Sequence, residues 1–118
     1  MRDGLTVTQS RHYGDCWNVV ITEWLGIDYD HVRQVAAARG LISEPGFAST
    51  ERVLEALGYV VVTIPDDGRD GIIRLKGIIA NHVVVRCCGQ LLNSANGPVD
   101  HRPAWARERI EVFKQEGV

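Results

Sequence analysis

Three residues of this 118-residue chain, Cys16, His82 and Asn93, have side chains that together can perform nucleophilic chemistry at sulfur. A cysteine attacks as its thiolate, an imidazole accepts and returns the proton, and a third group orients the imidazole. The amide oxygen of Asn93 would accept a hydrogen bond from the ring of His82 and so select its tautomer. The types and order of these residues indicate a covalent intermediate on Cys16.

The sequence around Cys16 favours a reactive thiol. Gly14 and Asp15 precede the cysteine in a loop, and an apolar stripe of helical period follows it. Asp15 is a preferred N-cap residue, which predicts a helix over residues 15–25. Unpaired backbone N–H groups and the positive end of the helix dipole would stabilise a thiolate at this position.

Each of these residues also has an ordinary interpretation. A cysteine in a chain of this size is usually a small core residue, and a single histidine at a strand start is more often structural. Asn93 fits the chemistry of a turn. His12 and His31 are the other candidate metal ligands beside the cysteines, but the CxxC and HxxxH spacings are missing. No metal and no cofactor are therefore expected.

The elements that must position these residues change in type along the chain. After the first helix, the pattern predicts a second helix over residues 31–39, capped by Asp28 or Asp30, and a third that opens at Ser49. From Tyr59 onwards, β-branched residues predict strands instead. The clearest strands cover residues 59–64 and 81–87, and weaker candidates cover 72–75 and 77–80. A turn at residues 88–90 leads into 91–94 as a hairpin.

These elements predict a single α+β domain, with the N-terminal helices packed on a C-terminal antiparallel sheet. The expected parts are an N-terminal arm (1–12), a helical half (13–58), a sheet half (59–97) and a C-terminal tail or helix (98–118). The segment from Pro103 to about Gln115 is the candidate for that terminal helix.

Composition narrows the class of protein. Apolar residues make up 45% of the chain and charged residues 24%, the balance of a globular domain. The formal net charge of -2 provides no basic surface, so nucleic acid is not an expected partner. No apolar run reaches the roughly 20 residues that span a bilayer, so no membrane is expected.

Three cysteines, two of them adjacent, are not a disulfide framework, and a cytoplasmic location is expected. The oligomeric state is not set by the sequence.

Several short motifs resemble one family. The segment Gly14-Asp15-Cys16-Trp17-Asn18-Val19-Val20 resembles the nucleophile helix of papain-like cysteine peptidases, above all the compact bacterial and phage members related to bacteriocin-processing (C39-like) peptidases. Leu25-Gly26-Ile27 and the run Leu54-Glu55-Ala56-Leu57-Gly58-Tyr59 are similar to the segments that follow in that group. Asn81-His82-Val83-Val84-Val85 is similar to the family's Gly-His-x-Val-Val strand, and Leu92-Asn93-Ser94 stands where its orienting residue lies.

The resemblance implies a papain-like fold and a thiol protease or related hydrolase that acts on a peptide or isopeptide amide, so the partner would be a peptide or protein substrate. Cys16, His82 and Asn93 would form the catalytic triad, and Asp100 is an alternative third residue. Gln9 and the backbone N–H of Cys16 would bind the oxyanion. Trp17 and Asn81 would line the substrate cleft. Transamidation and deamidation share the same intermediate and stay open.

Some positions depart from the family pattern. Asn81 replaces the usual glycine before the histidine, and Cys87-Cys88 stand where ordinary strand residues are expected. The chain is also short for a peptidase of this type. The alternative hypothesis is therefore a catalytically silent papain-like module that binds or inhibits a partner, for example a phage protein that acts on a host protein.

Overall fold

The structure, a computed structural model, describes residues 14–43, 46–77, 81–92 and 106–114. Within these ranges, helices precede strands along the chain, in the order α1 (Cys16–Leu25), α2 (Tyr29–Ala38), α3 (Thr50–Ala56), β1 (Tyr59–Pro65), β2 (Gly71–Lys76), β3 (Asn81–Cys87), β4 (Gln90–Leu92) and β5 (Ala106–Lys114). The predicted α+β class is confirmed. No helix in the described ranges is both long and apolar enough to cross a membrane.

All neighbouring strands of the sheet are antiparallel, in the spatial order β1-β5-β2-β3-β4. The last strand in the chain, β5, therefore lies between β1 and β2. The prediction of a tail or helix for residues 98–118 is wrong for the part that forms β5. In β5, charged residues alternate with apolar ones: Ile110 belongs to the core under the helices and Val112 packs against it.

The ends of the helices follow local chemistry. Asp28 caps α2 by accepting hydrogen bonds from the backbone N–H groups of Asp30 and His31. This helix begins at Tyr29, two residues before the predicted start at residue 31. Ser49 caps α3 as predicted and accepts from the N–H of Arg52. The expected arm (1–12) and most of the weak strand over 77–80 lie outside the described residues.

The two faces of the sheet carry separate apolar clusters. The helices cover one face, where Trp17, Val20 and Ile21 of α1 pack against the strands. This helix-side core includes Ile72, Val83, Val85, Leu92 and Ile110. The other face carries a smaller buried cluster of Ile73, Leu75, Val84 and Leu91. Because successive strand residues face opposite sides, the register of the strands assigns each side chain to one of these faces.

The loop between β1 and β2 binds two buried arginines on the face opposite the helices. Arg86 donates from Nη1 and Nη2 to the two carboxylate oxygens of Asp66, at 2.8 and 2.7 Å. Arg109 donates from Nε and Nη2 to Asp67, at 2.7 and 2.9 Å. We call these four residues the aspartate clamp. The hydrogen bonds from Arg86 and Arg109 outweigh desolvation and lower the pKa of each aspartate to about 2.

Candidate active site

Cys16 is the first residue of α1 and is partly buried. The backbone carbonyl of Asp15 accepts the N–H groups of Asn18 at 2.9 Å and Val19 at 3.0 Å, which begins the helix just before the thiol. Gly14 has a φ of 73°, and a Cβ at this position would lie 2.9 Å from the ring of Phe47. Only glycine therefore allows the turn before Cys16 to pack this closely against that ring.

Asp15 holds this turn in a different way from the predicted one. It stands at the N-cap position of α1, but its side chain makes no capping hydrogen bond. Instead, the hydroxyl of Tyr29 donates to Asp15 Oδ2 at 2.5 Å, and both residues are buried. This bond ties the residue before Cys16 to the first residue of α2. The position of the thiol is therefore set by helix packing rather than by a mobile loop.

Cys16 lines a cavity of about 270 Å³ between α1, α3 and the sheet, which we call the Cys16 pocket. Its lining includes Trp17, Phe47, Thr50, Glu51, Arg74 and Val83. The indole Nε1 of Trp17 donates to the carbonyl of Gly46 at 3.0 Å, a buried bond that holds the loop bearing Phe47 against α1. The pocket thus combines apolar walls with one charged side, as small-ligand and substrate sites commonly do.

An ion-pair network forms that charged side. Arg74 of β2 donates from Nη2 to Glu51 of α3 and from Nη1 to Glu108 of β5, the latter at 3.1 Å. Lys76 Nζ lies 3.4 Å from the other oxygen of Glu108, and the hydroxyl of Thr63 donates to Glu51 at 3.1 Å.

Both members of the central pair stay ionised at neutral pH. Burial alone would raise the pKa of Glu51, but the hydrogen bond from Arg74 and smaller favourable contacts outweigh it and leave that pKa below its ordinary value. The hydrogen bond to Glu51 raises the pKa of Arg74. The pocket therefore presents fixed charges of both signs beside the thiol.

His82 is the second residue of β3 and is partly buried. Its neighbour Val83 lines the Cys16 pocket, so the start of β3 reaches the site. His82 pairs with Leu75, which belongs to the cluster on the face opposite the helices. By strand alternation, the imidazole therefore leaves β3 on the side opposite Val83, and a role at Cys16 requires it to reach past the end of the strand.

The other predicted site residues divide into two groups. Trp17 lies in the pocket as expected for a cleft wall, and Asn81 is the first residue of β3. Gln9, Asn93 and Asp100 lie outside the described residues. The predicted oxyanion and orienting roles thus stay predictions. The structure brings together the start of α1 and the start of β3.

Sequence reasoning missed several residues that line the pocket, chiefly Phe47, Thr50, Glu51 and Arg74. Arg74 gave a usable signal, because a single charge interrupts the apolar run Ile72-Ile73-Arg74-Leu75 in a predicted strand. Such a residue needs a partner when its strand is buried. Glu51 gave no separate signal, since an acidic residue in the first turn of a helix is favoured anyway.

Within the parts of the chain that the structure describes, no three His, Cys, Asp or Glu side chains are arranged to hold a metal ion. Comparison with known proteins finds no matching family model, no matching curated protein and no matching solved structure. What the Cys16 pocket does is therefore inferred from its own residues and their geometry.

Proposed function

We propose that the chain is a thiol hydrolase of papain-like type that acts on a peptide or isopeptide amide. One observation carries the proposal: Cys16 opens α1 and, at the same time, lines a pocket that has apolar walls and a charged side. The layer of helices on an antiparallel sheet is compatible with the papain-like arrangement.

The first step is attack by the Cys16 thiolate on the carbonyl carbon of the amide. The backbone N–H groups of the first turn of α1 favour negative charge at this end of the helix. The backbone N–H of Cys16 would donate to the oxyanion that develops on the carbonyl oxygen, with Gln9 as the proposed side-chain donor. The pocket walls, Trp17 and Phe47, would hold the substrate so that its carbonyl lies against the sulfur.

His82 acts as the proton acceptor for Cys16 and then as the donor to the leaving amine. His82 pairs with Leu75 on the face opposite Val83, so this role requires the imidazole to reach around the end of β3. Asn93 orients the ring, with Asp100 as the alternative orienting residue. Water then releases the acyl group from Cys16 and regenerates the thiol.

Turnover of a panel of fluorogenic peptide amides and isopeptides tests the proposal. Cys16→Ala should lower turnover to the background rate, because no other group replaces the nucleophile. His82→Gln should lower kcat by roughly 100-fold or more, the usual worth of a positioned acid-base group. Cys88→Asn is the matched control, since it removes an exposed thiol elsewhere, and it should keep turnover within about twofold.

Two results would contradict the proposal. Turnover that survives Cys16→Ala would assign the chemistry to another residue. Absence of turnover on every substrate, together with peptide or protein binding that survives Cys16→Ala, would instead support the catalytically silent binding module. Circular dichroism of each variant confirms that a loss of turnover is not a loss of folding.

A further inference from the structure

The tip of the β3–β4 hairpin carries two adjacent thiols in a constrained turn. Cys87 pairs with Gln90, which leaves Cys88 and Gly89 as a two-residue loop. Both loop residues have positive φ angles, 57° and 82°, as a type I′ turn requires. Among the described residues other than glycine, Cys88 is the one with a positive φ. Asparagine or glycine is the usual residue at this position of a type I′ turn, because most other residues are strained at a positive φ. A cysteine at this position therefore suggests that its side chain has a role.

A single carboxylate fixes the turn from the neighbouring loop. Asp70 accepts the backbone N–H of Cys88 at 2.8 Å and that of Gly89 at 3.2 Å, one with each carboxylate oxygen. Asp70 directly precedes β2, the strand that pairs with β3. The turn that carries Cys88 is therefore anchored to the sheet; Cys88 is exposed to solvent, and Cys87 is partly buried against the helix-side core.

The spacing of the two sulfurs suits a bridging atom better than a direct disulfide. The Sγ atoms lie 3.7 Å apart. Adjacent Cα atoms are about 3.8 Å apart, below the usual lower limit of about 4.4 Å for a disulfide, so a bond between the two sulfurs would be strained. A pyramidal atom bound to both sulfurs at about 2.3 Å with an angle of about 100° needs them about 3.5 Å apart, within a few tenths of an ångström of the observed separation. The observed separation thus fits two thiolates that share one soft atom.

We propose that Cys87 and Cys88 form a dithiol site for a trivalent organoarsenical. Two thiolates complete the coordination of an arsenic atom that already carries one carbon substituent. Zinc normally takes four protein ligands in a structural site. Among the described residues, no three His, Cys, Asp or Glu side chains are arranged to hold a metal ion. Soft thiolate ligands also select soft acceptor atoms.

The binding step balances without an oxidant or a reductant. An arsenical of the form R–As=O reacts with the two thiols: two S–As bonds form, the arsenic–oxygen bond breaks, and both thiol protons leave with the oxygen as one water molecule. Arsenic stays trivalent throughout. The site lies at the end of β3 away from the Cys16 pocket, with Cys87 about 13 Å along the strand from Val83, so the proposal is independent of the hydrolase.

Titration of the full-length, reduced chain with phenylarsine oxide, followed by intact mass spectrometry, tests the site. The expected result is one phenylarsenic group per chain with the loss of one water. The adduct should survive a large excess of a monothiol and be removed by a small dithiol, because only a chelating competitor replaces both S–As bonds together. Cys16→Ser should leave the adduct unchanged.

Cys88→Asn is the decisive variant, because asparagine suits a type I′ turn and should preserve the fold while one thiol is removed. Its arsenical adduct should be lost to the monothiol wash, and Cys87→Ser should behave in the same way. A thermal melt by circular dichroism checks that both variants fold. The proposal is overturned if the Cys88→Asn adduct resists the monothiol as well as the parent adduct does, or if Cys16→Ser removes it.

Discussion

Arginines of the sheet meet carboxylates in two regions, the aspartate clamp and the Cys16 pocket, in different ways. In the clamp, each arginine directs two nitrogens at one aspartate, and both arginines are buried. In the pocket, Arg74 divides its nitrogens between Glu51 and Glu108 and stays 19% exposed in its side chain. The clamp lies on the face away from the helices, whereas Arg74 lies on the face that they cover.

The difference suggests that the two regions respond differently to substitution. A guanidinium that forms a bidentate pair with one carboxylate has a fixed geometry. Arg74 instead lines a cavity beside a thiol, in a network whose partners come from α3 and β5. We therefore expect changes in the clamp to alter mainly stability, and changes in the pocket network to alter mainly what binds near Cys16.

The largest expected effect on stability follows from breaking the clamp. Asp66→Ala leaves the guanidinium of Arg86 buried without its carboxylate, which should lower the free energy of unfolding by about 2–3 kcal/mol. Urea denaturation at neutral pH measures the change. Glu55→Ala, at an exposed position of α3, is the matched control and should shift the free energy by less than about 0.5 kcal/mol. If both variants lowered the free energy of unfolding equally, the clamp would contribute no more to stability than an exposed side chain does.

Acid should weaken the clamp between about pH 4 and pH 2. The pKa of Asp66 and that of Asp67 are lowered to about 2, so their stabilisation is complete above the unfolded pKa of about 3.9 and is lost as the pH falls from there to about 2. The urea midpoint should therefore drop steeply between about pH 4 and pH 2. Asp66→Asn should make that drop shallower. An unchanged pH dependence in Asp66→Asn would show that the clamp does not control acid unfolding.

A smaller loss of stability is expected in the pocket. Glu51→Gln removes one carboxylate from Arg74, but Glu108 still binds the guanidinium, so the free energy of unfolding should fall by about 1 kcal/mol or less. If the substrate contacts Glu51, Glu51→Gln should also change KM clearly, although the free energy of unfolding changes little. A loss as large as that of Asp66→Ala would instead make the pocket network another structural clamp.

The sequence predicted the elements better than their arrangement. The helices at Cys16 and at Ser49, and the strand containing His82, followed from caps, apolar period and β-branched residues. β5 was missed because its charged residues have their partners in β2 and in the loop between β1 and β2, far away in the sequence. Local sequence patterns indicate the type of an element but not which distant strands it pairs with.

The candidate site was predictable to a similar degree. Cys16 and Trp17 were found because a helix start is a local signal. Phe47, Glu51 and Arg74 were missed because their presence beside the thiol depends on how α3 and β2 pack against α1. The side of β3 on which His82 lies also follows only from its pairing with Leu75. The tertiary arrangement, rather than the motif, therefore decides what surrounds the thiol.

The most direct test of the central claim is the rate at which iodoacetamide alkylates Cys16 as a function of pH, resolved from Cys88 by peptide mass spectrometry. We predict that Cys16 reacts at about pH 6 at least roughly 10 times faster than the exposed Cys88, since the start of α1 favours the Cys16 thiolate. We also predict that His82→Gln removes most of this advantage. A Cys16 rate that rises only near pH 8.5 and does not change in His82→Gln would contradict the account.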